Sequence, residues 1–368
     1  MALDSKEWKF KDLEKEYQSF YAPAFEITIG GKNLVKDIGM AITGVTVETS
    51  IKAADTLAFD VRNAFDIKNR EFMWLDDYLT PGKIVEVKFG YSSNVETIFK
   101  GFIKSTKFHF PQGENPKVDV TAMDFSFLMT KGNDFRFWEK KKYSDVVDTI
   151  ASKYTTYIKT KKIDSTDIEI DKIIQNGMSD FKFLQMIADR VNYEFFVTED
   201  VLYFRKPLGD ETPVTTLTWG ENLQDFGPDI DIGDQIPEVI VRAWNELKDE
   251  EVESKSKSIT KLGSNSQTGQ EIWKKLLGDT AKEHIYSQTA SSKSDAEAEA
   301  TAHAGRQSMK LITGSCACIG IPKIRAGRYI KLDKVGEKFS STYYIASATH
   351  TIGSSGYATN FNIEGNAI

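Results

Sequence analysis

Four histidines, two cysteines and a few clustered acids are the residues of this 368-residue chain whose types could do chemistry. His109, His284, His303 and His350 are scattered, and no His-Glu-x-x-His zinc pattern, phosphate-binding Gly-Lys-Ser/Thr loop or Gly-x-Ser-x-Gly elbow accompanies them. His350, in SATHTI, reads as a packed or capped strand histidine. Cys316 and Cys318 stand two apart in an apolar strand pattern, so their side chains share a face and read as buried free thiols. Asp76-Asp77 and Glu250-Glu251 are sequence neighbours, and adjacent strand residues face opposite ways, which is poor geometry for shared proton transfer. Asp229, Asp231 and Asp234 have the look of a calcium loop. Ile232 and Gly233 displace the expected third ligand, however, and Ile240 stands where an EF-hand carries glutamate, so a turn between strands explains the acids. The expectation is therefore no catalytic, cofactor-binding or metal-binding residue, and no enzyme.

The elements that position these residues follow from hydrophobic periodicity. Residues 179–207 read as a complete helix and β-hairpin. Ser179 is suited to accept a backbone N–H as the helix cap, and Phe181, Leu184, Ile187, Ala188 and Val191 recur at helical spacing as one apolar stripe. The period then changes. Residues 193–197 and 201–205 are rich in β-branched and aromatic side chains, Thr198-Glu199-Asp200 is short and polar between them, and Pro207 stops the second strand. Ser144 is placed to cap another helix, whose Val147, Ile150, Ala151 and Tyr154 also keep helical spacing. Near the start, residues 5–20 read as a short charged helix with a narrow apolar stripe, ended by Pro23. Trp8, Phe10, Leu13 and Tyr17 of that stripe are the side chains expected to dock on a neighbouring subunit, with packing on their own subunit as the other reading.

Between these segments the chain alternates like a strand. FEITI, AITGVTVETSI, TLAFDVRN, KIVEVKFGY, ETIFKGFIKSTKFHF and KVDVTAMDF follow one another at short intervals with Gly, Asn and Pro turns, which predicts a barrel or sandwich. VTTLTW, PEVIVRAW, LITGSCACIGI, GRYIKL, STYYIASATHTI and YATNFNIEG repeat the pattern later. Residues 253–269 are rich in Ser, Lys, Thr, Gln and Gly and are expected to be a mobile loop that orders on assembly. Ser294 with Glu297 fits a capping box, and the alanines at 296, 298, 300, 302 and 304 give high helix propensity with little bulk to pack.

The expected fold class is mainly β with an α/β insert. It divides into an N-terminal helix at 1–21, a first β-barrel at 22–135, a helix and β-hairpin insert at 136–207, and a second β-barrel at 208–252 and 308–368. The mobile loop and Ala-rich helix occupy 253–307.

Composition narrows the function classes. With 40% hydrophobic residues the chain can bury the cores of two or three domains. No signal-peptide core or run of about 18 uncharged apolar residues is present, so synthesis in a cytoplasm without direct membrane insertion is expected. A net charge of −7 argues against sequence-independent nucleic-acid binding, which needs Lys and Arg to displace counterions from phosphates.

The order of these segments resembles the phage late control gene D family, the tail hub proteins related to the hub portion of type VI secretion spike proteins. The similar strings are ETIFKGFI with KVDVTAMDFSFLM, then YSDVVDTIA and SDFKFLQMIADRVNYEFFV, then TWGENL, and finally SDAEAEATA, PKIRAGRYIKL, STYYIASATHTI and GYATNFNIEG. The resemblance runs from about residue 25 to 365 and lies in order and spacing more than in any one string.

It implies two tube-like β-barrels per subunit and a homotrimeric baseplate hub. Such a ring adapts a hexameric tail tube to a trimeric spike, because three two-barrel chains offer six similar edges. The implied partners are the tail tube protein, a separate spike protein, tape measure and baseplate wedge proteins, with DNA or an effector passing through the channel and no cofactor. The implied location is the bacterial cytoplasm, then the baseplate of a virion tail or injection particle. The competing reading is a tail-tip glycan-binding or peptidoglycan-degrading protein, motivated by 12% aromatic residues. Those aromatics mostly alternate with apolar neighbours, as core residues do.

Overall fold

The computed structural model describes residues 3, 6–207, 211–245, 248–278 and 280–368. The expected boundary at 208 and Ser5, the expected start of the first helix, lie outside the described residues. The fold is mainly β, built on one 13-stranded sheet. From one edge its strands run Leu223–Ile230, Ile312–Ile319, Gly356–Gly365, Thr342–Gly353, Ile42–Ser50, Thr56–Val61, Lys117–Asp124, Asn94–His109, Ile84–Tyr91, Pro23–Ile29 and Lys32–Asn33. Tyr329–Asp333 pairs with the start of Thr342–Gly353 and, on its other side, runs parallel to Pro213–Thr218.

The strands expected in the first and second barrels thus meet edge to edge. His350 stands opposite Val47, and Ala348 opposite Thr49. Alternation explains why the sheet has one buried face: in Lys117–Asp124 the side chains of Val118, Val120 and Ala122 point inward while Asp119 and Thr121 face outward. Ile27, Val47 and Phe89 from the first half share one hydrophobic core with Ile330, Ile345 and Phe361 from the second. Each such side chain contributes about 1.5–3 kcal/mol through burial, and the shared core joins the two halves.

Helix α1, Phe10–Glu16, is shorter than the stretch expected at 5–20. Gln18, Ser19 and Phe20 each take positive φ, at 49°, 56° and 56°, which ends the α-helical path. Helix α2, Tyr143–Ala151, begins ahead of its expected cap. The backbone N–H of Lys142 donates to Asp145 Oδ2 at 3.2 Å, so an acid in the first turn satisfies the helix start. Ser144 instead turns inward, its hydroxyl accepting from the Thr166 N–H at 3.3 Å.

Helix α3, Asp180–Val191, starts where expected, with Ser179 Oγ accepting from the Lys182 N–H at 3.4 Å. It packs on the hairpin of Glu194–Thr198 and Val201–Arg205 in a separate core with α2. The hairpin is bolted to the main sheet. Arg205 Nε donates to Glu194 Oε2 at 2.9 Å, Tyr344 Oη also donates to Glu194, and Arg205 reaches the Gly327 carbonyl. Arg325, in the connection between Ile312–Ile319 and Tyr329–Asp333, pairs with Glu199 at 3.2 Å, and Lys100 from the sheet with Asp200 at 3.3 Å.

Two expectations about the later chain are corrected. Val239–Asn245 and residues 250–252, assigned above to the second barrel, leave the main sheet; with 253–255 they form the strands Val239–Asn245 and Glu250–Lys255 of a three-stranded sheet with Glu283–Ser287. Their alternation announces strands without saying which sheet they join. Helix α4, Gly269–Leu277, precedes that third strand, and helix α5, Lys293–Ser308, covers the sheet. The α5 cap is Ser292, accepting from the Asp295 N–H at 3.2 Å, not Ser294. Ala296, Ala300 and Ala304 are buried against Val239, Val241 and Val252, so their small size permits close approach of helix and sheet.

The segment expected to be a mobile loop, 253–269, is tied down within the subunit. Its first residues complete Glu250–Lys255, Leu262 enters a small core with Tyr329 and Tyr344, and Asn366 accepts from the Leu262 N–H at 2.8 Å. Gln267 and Ile368 exchange backbone hydrogen bonds at 3.1 and 2.9 Å. Among the described residues no helix is long and apolar enough to cross a membrane.

Candidate assembly interface

The side chains expected at a subunit interface lie largely inside the chain. Leu13 and Tyr17 are 0% exposed and belong to the main core, and Trp8 and Phe10 are partly buried against it. Tyr17 Oη donates to Glu96 Oε1 at 2.8 Å, and Lys323 sits 4.3 Å from the Trp8 ring centroid. The stripe is therefore used by its own subunit, the reading set beside docking in the sequence. On the same segment Tyr21 is 89% exposed.

The outward face of the main sheet has a composition that strand-by-strand reading misses. Leu223–Ile230, Ile312–Ile319, Gly356–Gly365, Thr342–Gly353, Ile42–Ser50 and Thr56–Val61 contain no lysine or arginine, although these make up 47 of the 368 residues. The register aligns small side chains in rows. Gly227, Ser315, Asn362, Ser347 and Ser50 form one row, and Ala317, Asn360, Thr349, Glu48 and Thr56 another. Glu48, Asp225 and Asp229 leave the face of these six strands neutral to acidic, while Asp60 and Glu364 are paired with Arg62 and Lys52 from the adjoining turns. At its two ends the sheet stops at Leu223–Ile230 and at Pro23–Ile29 with the two-residue Lys32–Asn33, strands with only one long neighbour each. Open edges of this kind are pairing sites for another chain.

The residues able to do chemistry are placed for structure. His350 is fully buried: its Nε2 bonds the Ile324 carbonyl at 2.8 Å, and Nδ1 faces the Tyr357 hydroxyl at 2.8 Å and Thr359 Oγ1 at 3.1 Å. Burial pushes its pKa down to about 4, so the ring is neutral. Cys316 and Cys318 are buried free thiols on one face, and burial pushes Cys316 up to about 12. Asp231 Oδ1 accepts the Gly233 N–H at 2.7 Å, and Lys310 reaches Asp234 at 3.2 Å, which is turn chemistry. Among the described residues no group of three His, Cys, Asp or Glu could hold a metal.

The sequence reading missed one acid pair, Asp55 and Asp124. Asp124 Oδ2 accepts the Asp55 N–H at 2.5 Å and Oδ1 accepts the Ser126 N–H at 2.7 Å, while Asp55 Oδ1 accepts the Ser50 N–H at 3.0 Å. Burial pushes Asp124 up to about 6, and burial with the neighbouring Asp124 charge raises Asp55 well above the usual range. Both carboxyls face backbone amides within the fold. Nothing in the spacing of AADTL and TAMDF announces the pair.

The whole-chain fold is that of phage tail proteins. The chain is similar to the 43 kDa tail protein of prophage MuSo2 from Shewanella oneidensis, with 11% identity and TM-score 0.70 over 93% of this chain and 98% of that one. It is similar to the tail protein from Neisseria meningitidis MC58, with 14% identity and TM-score 0.68 over 94% and 97%. A third likeness is to the Escherichia coli c3393 protein, described as a type VI secretion component structurally similar to the bacteriophage T4 tail proteins gp27 and gp5. It has 10% identity and TM-score 0.55 over 93% of this chain and 77% of that one. The family model described as the Alg8 N-terminal domain matches residues 21–354, and the chain belongs to that family. No curated protein matches the sequence. The late control gene D resemblance agrees with these structures at the level of a tail-protein fold.

Proposed function

We propose that this protein is a non-enzymatic hub at the tip of a phage tail or related injection device, a homotrimeric ring that seats a tube on one side and a separate spike on the other. The observation that carries this reading is a tail-protein fold followed over 93% of the chain, with TM-score 0.70. Two features support it. The main sheet ends in open edges, which copies of the chain would cover on closing a ring. Six neighbouring strands of its outward face carry no lysine or arginine of their own, and the cations that pair with their acids, Lys52 with Glu364 and Arg62 with Asp60, are already engaged, which suits the wall of a channel past which a polyanion slides without exchanging its counterions.

The mass in solution, measured by light scattering, tests the reading. The hub predicts three times the 41.5 kDa of one chain. A 41.5 kDa species at every concentration counts against a self-assembling ring.

A further inference from the structure

A cleft of about 700 Å³ opens where α3, the C-terminal turns of α5 and the main sheet meet. This volume falls within the roughly 300–1,000 Å³ of small-molecule sites, which favour junctions between structural units. Its walls are fixed before any ligand arrives. Arg190 on α3 pairs with Glu299 on α5 at 3.0 Å, and a Cβ added at Gly305 would meet Asn192 Nδ2 at 2.8 Å, so the two helices touch. Tyr193, Phe195 and Ile259 give the cleft an apolar side.

Several of the charges around it are paired. Glu194 is held by Arg205, Glu364 by Lys52 at 3.2 Å, Lys310 by Asp234 at 3.2 Å, and His303 faces Glu283 at 3.3 Å. Arg306 is different. It lines the cleft, has no ion pair or hydrogen bond among the described residues, and its Nη1 is shielded from solvent without a partner. Burial disfavours its charge, and Asp189 and Glu299 act on it only through space. A guanidinium nitrogen that is shielded from water and left unpaired costs stability unless an acceptor completes it. A guanidinium is matched to the two oxygens of a carboxylate or phosphate.

We propose that this cleft is a binding site for an oxyanion carried on an aromatic or apolar body, with Arg306 as its anchor. The inference is independent of the hub reading, since the cleft lies within one chain. The oxyanion comes either from a free phosphorylated compound or from the C-terminal carboxylate of a peptide.

Titration calorimetry of the full chain with phenyl phosphate and with hippurate tests it. The wild type is expected to bind at least one probe saturably at one site per chain and more tightly than inorganic phosphate. Preference for phenyl phosphate identifies the first source, and preference for hippurate the second. Arg306→Met is expected to lose binding while melting at a higher temperature than the unliganded wild type, because an apolar side chain removes the unpaired charge. Arg306→Lys keeps the charge without the fork and is expected to bind more weakly than wild type. Absence of saturable binding by the wild type, or undiminished binding by Arg306→Met, overturns the proposal.

Discussion

At the scale of the residue, the informative groups are buried ones with displaced pKa values. Asp124 has a folded pKa of about 6, above its ordinary 3.8, and Asp55 is raised as well. For such acids the stabilising contribution is fully present below the unfolded value and is lost as pH rises through the folded one. His350 works in the opposite sense. Its folded pKa of about 4 lies below the ordinary 6.5, so its contribution is present above 6.5 and is lost as pH falls toward 4. Asp55→Asn keeps an oxygen for the Ser50 N–H and removes one of two crowded charges. It is expected to raise stability at pH 8, on the order of 1–3 kcal/mol, and to change little near pH 4. Thermal melts of both proteins across that range check it, and a variant less stable at pH 8 would refute the assignment.

At the scale of the element, the sequence was most legible where one period ran uninterrupted. The α3 helix and its hairpin stand as expected because Ser179, the apolar stripe and the polar turn agree with one another. Legibility failed where a local signal had two owners. Ser144 looked like a cap, but Asp145 reaches the helix start and Thr166 engages Ser144. The polar stretch around Leu262 looked solvated because its fixings, Asn366, Ala367 and Ile368, lie about 100 residues away, as in the Leu262–Asn366 separation of 104. Hydrogen exchange on the free chain is expected to show protection at the Leu262 and Gln267 amides; rapid exchange at both would restore the mobile loop. Similarly, Leu13→Ala removes a fully buried side chain from α1 and is expected to cost about 2–5 kcal/mol in denaturant unfolding. A cost near zero would mean that α1 packs elsewhere.

At the scale of the whole molecule, strand identity was readable and sheet membership was not, because Val239–Asn245 and Ile42–Ser50 alternate alike yet join different sheets. The same long-range pairing makes the chain indivisible. A fragment ending at residue 341 lacks Thr342–Gly353 and leaves Ile42–Ser50 without one of its neighbours. It is expected to aggregate through that edge, and a soluble, monodisperse fragment would show that the sheet folds without Thr342–Gly353 and Gly356–Gly365. The seam also sets a clock on biogenesis. Val47 leaves the ribosome some 300 residues before its partner His350, a separation of 303 by their numbers. The strand Ile42–Ser50 therefore waits with one side uncovered until Thr342–Gly353 has been made, so the period of synthesis between them is the one in which this chain is most exposed to wrong pairing.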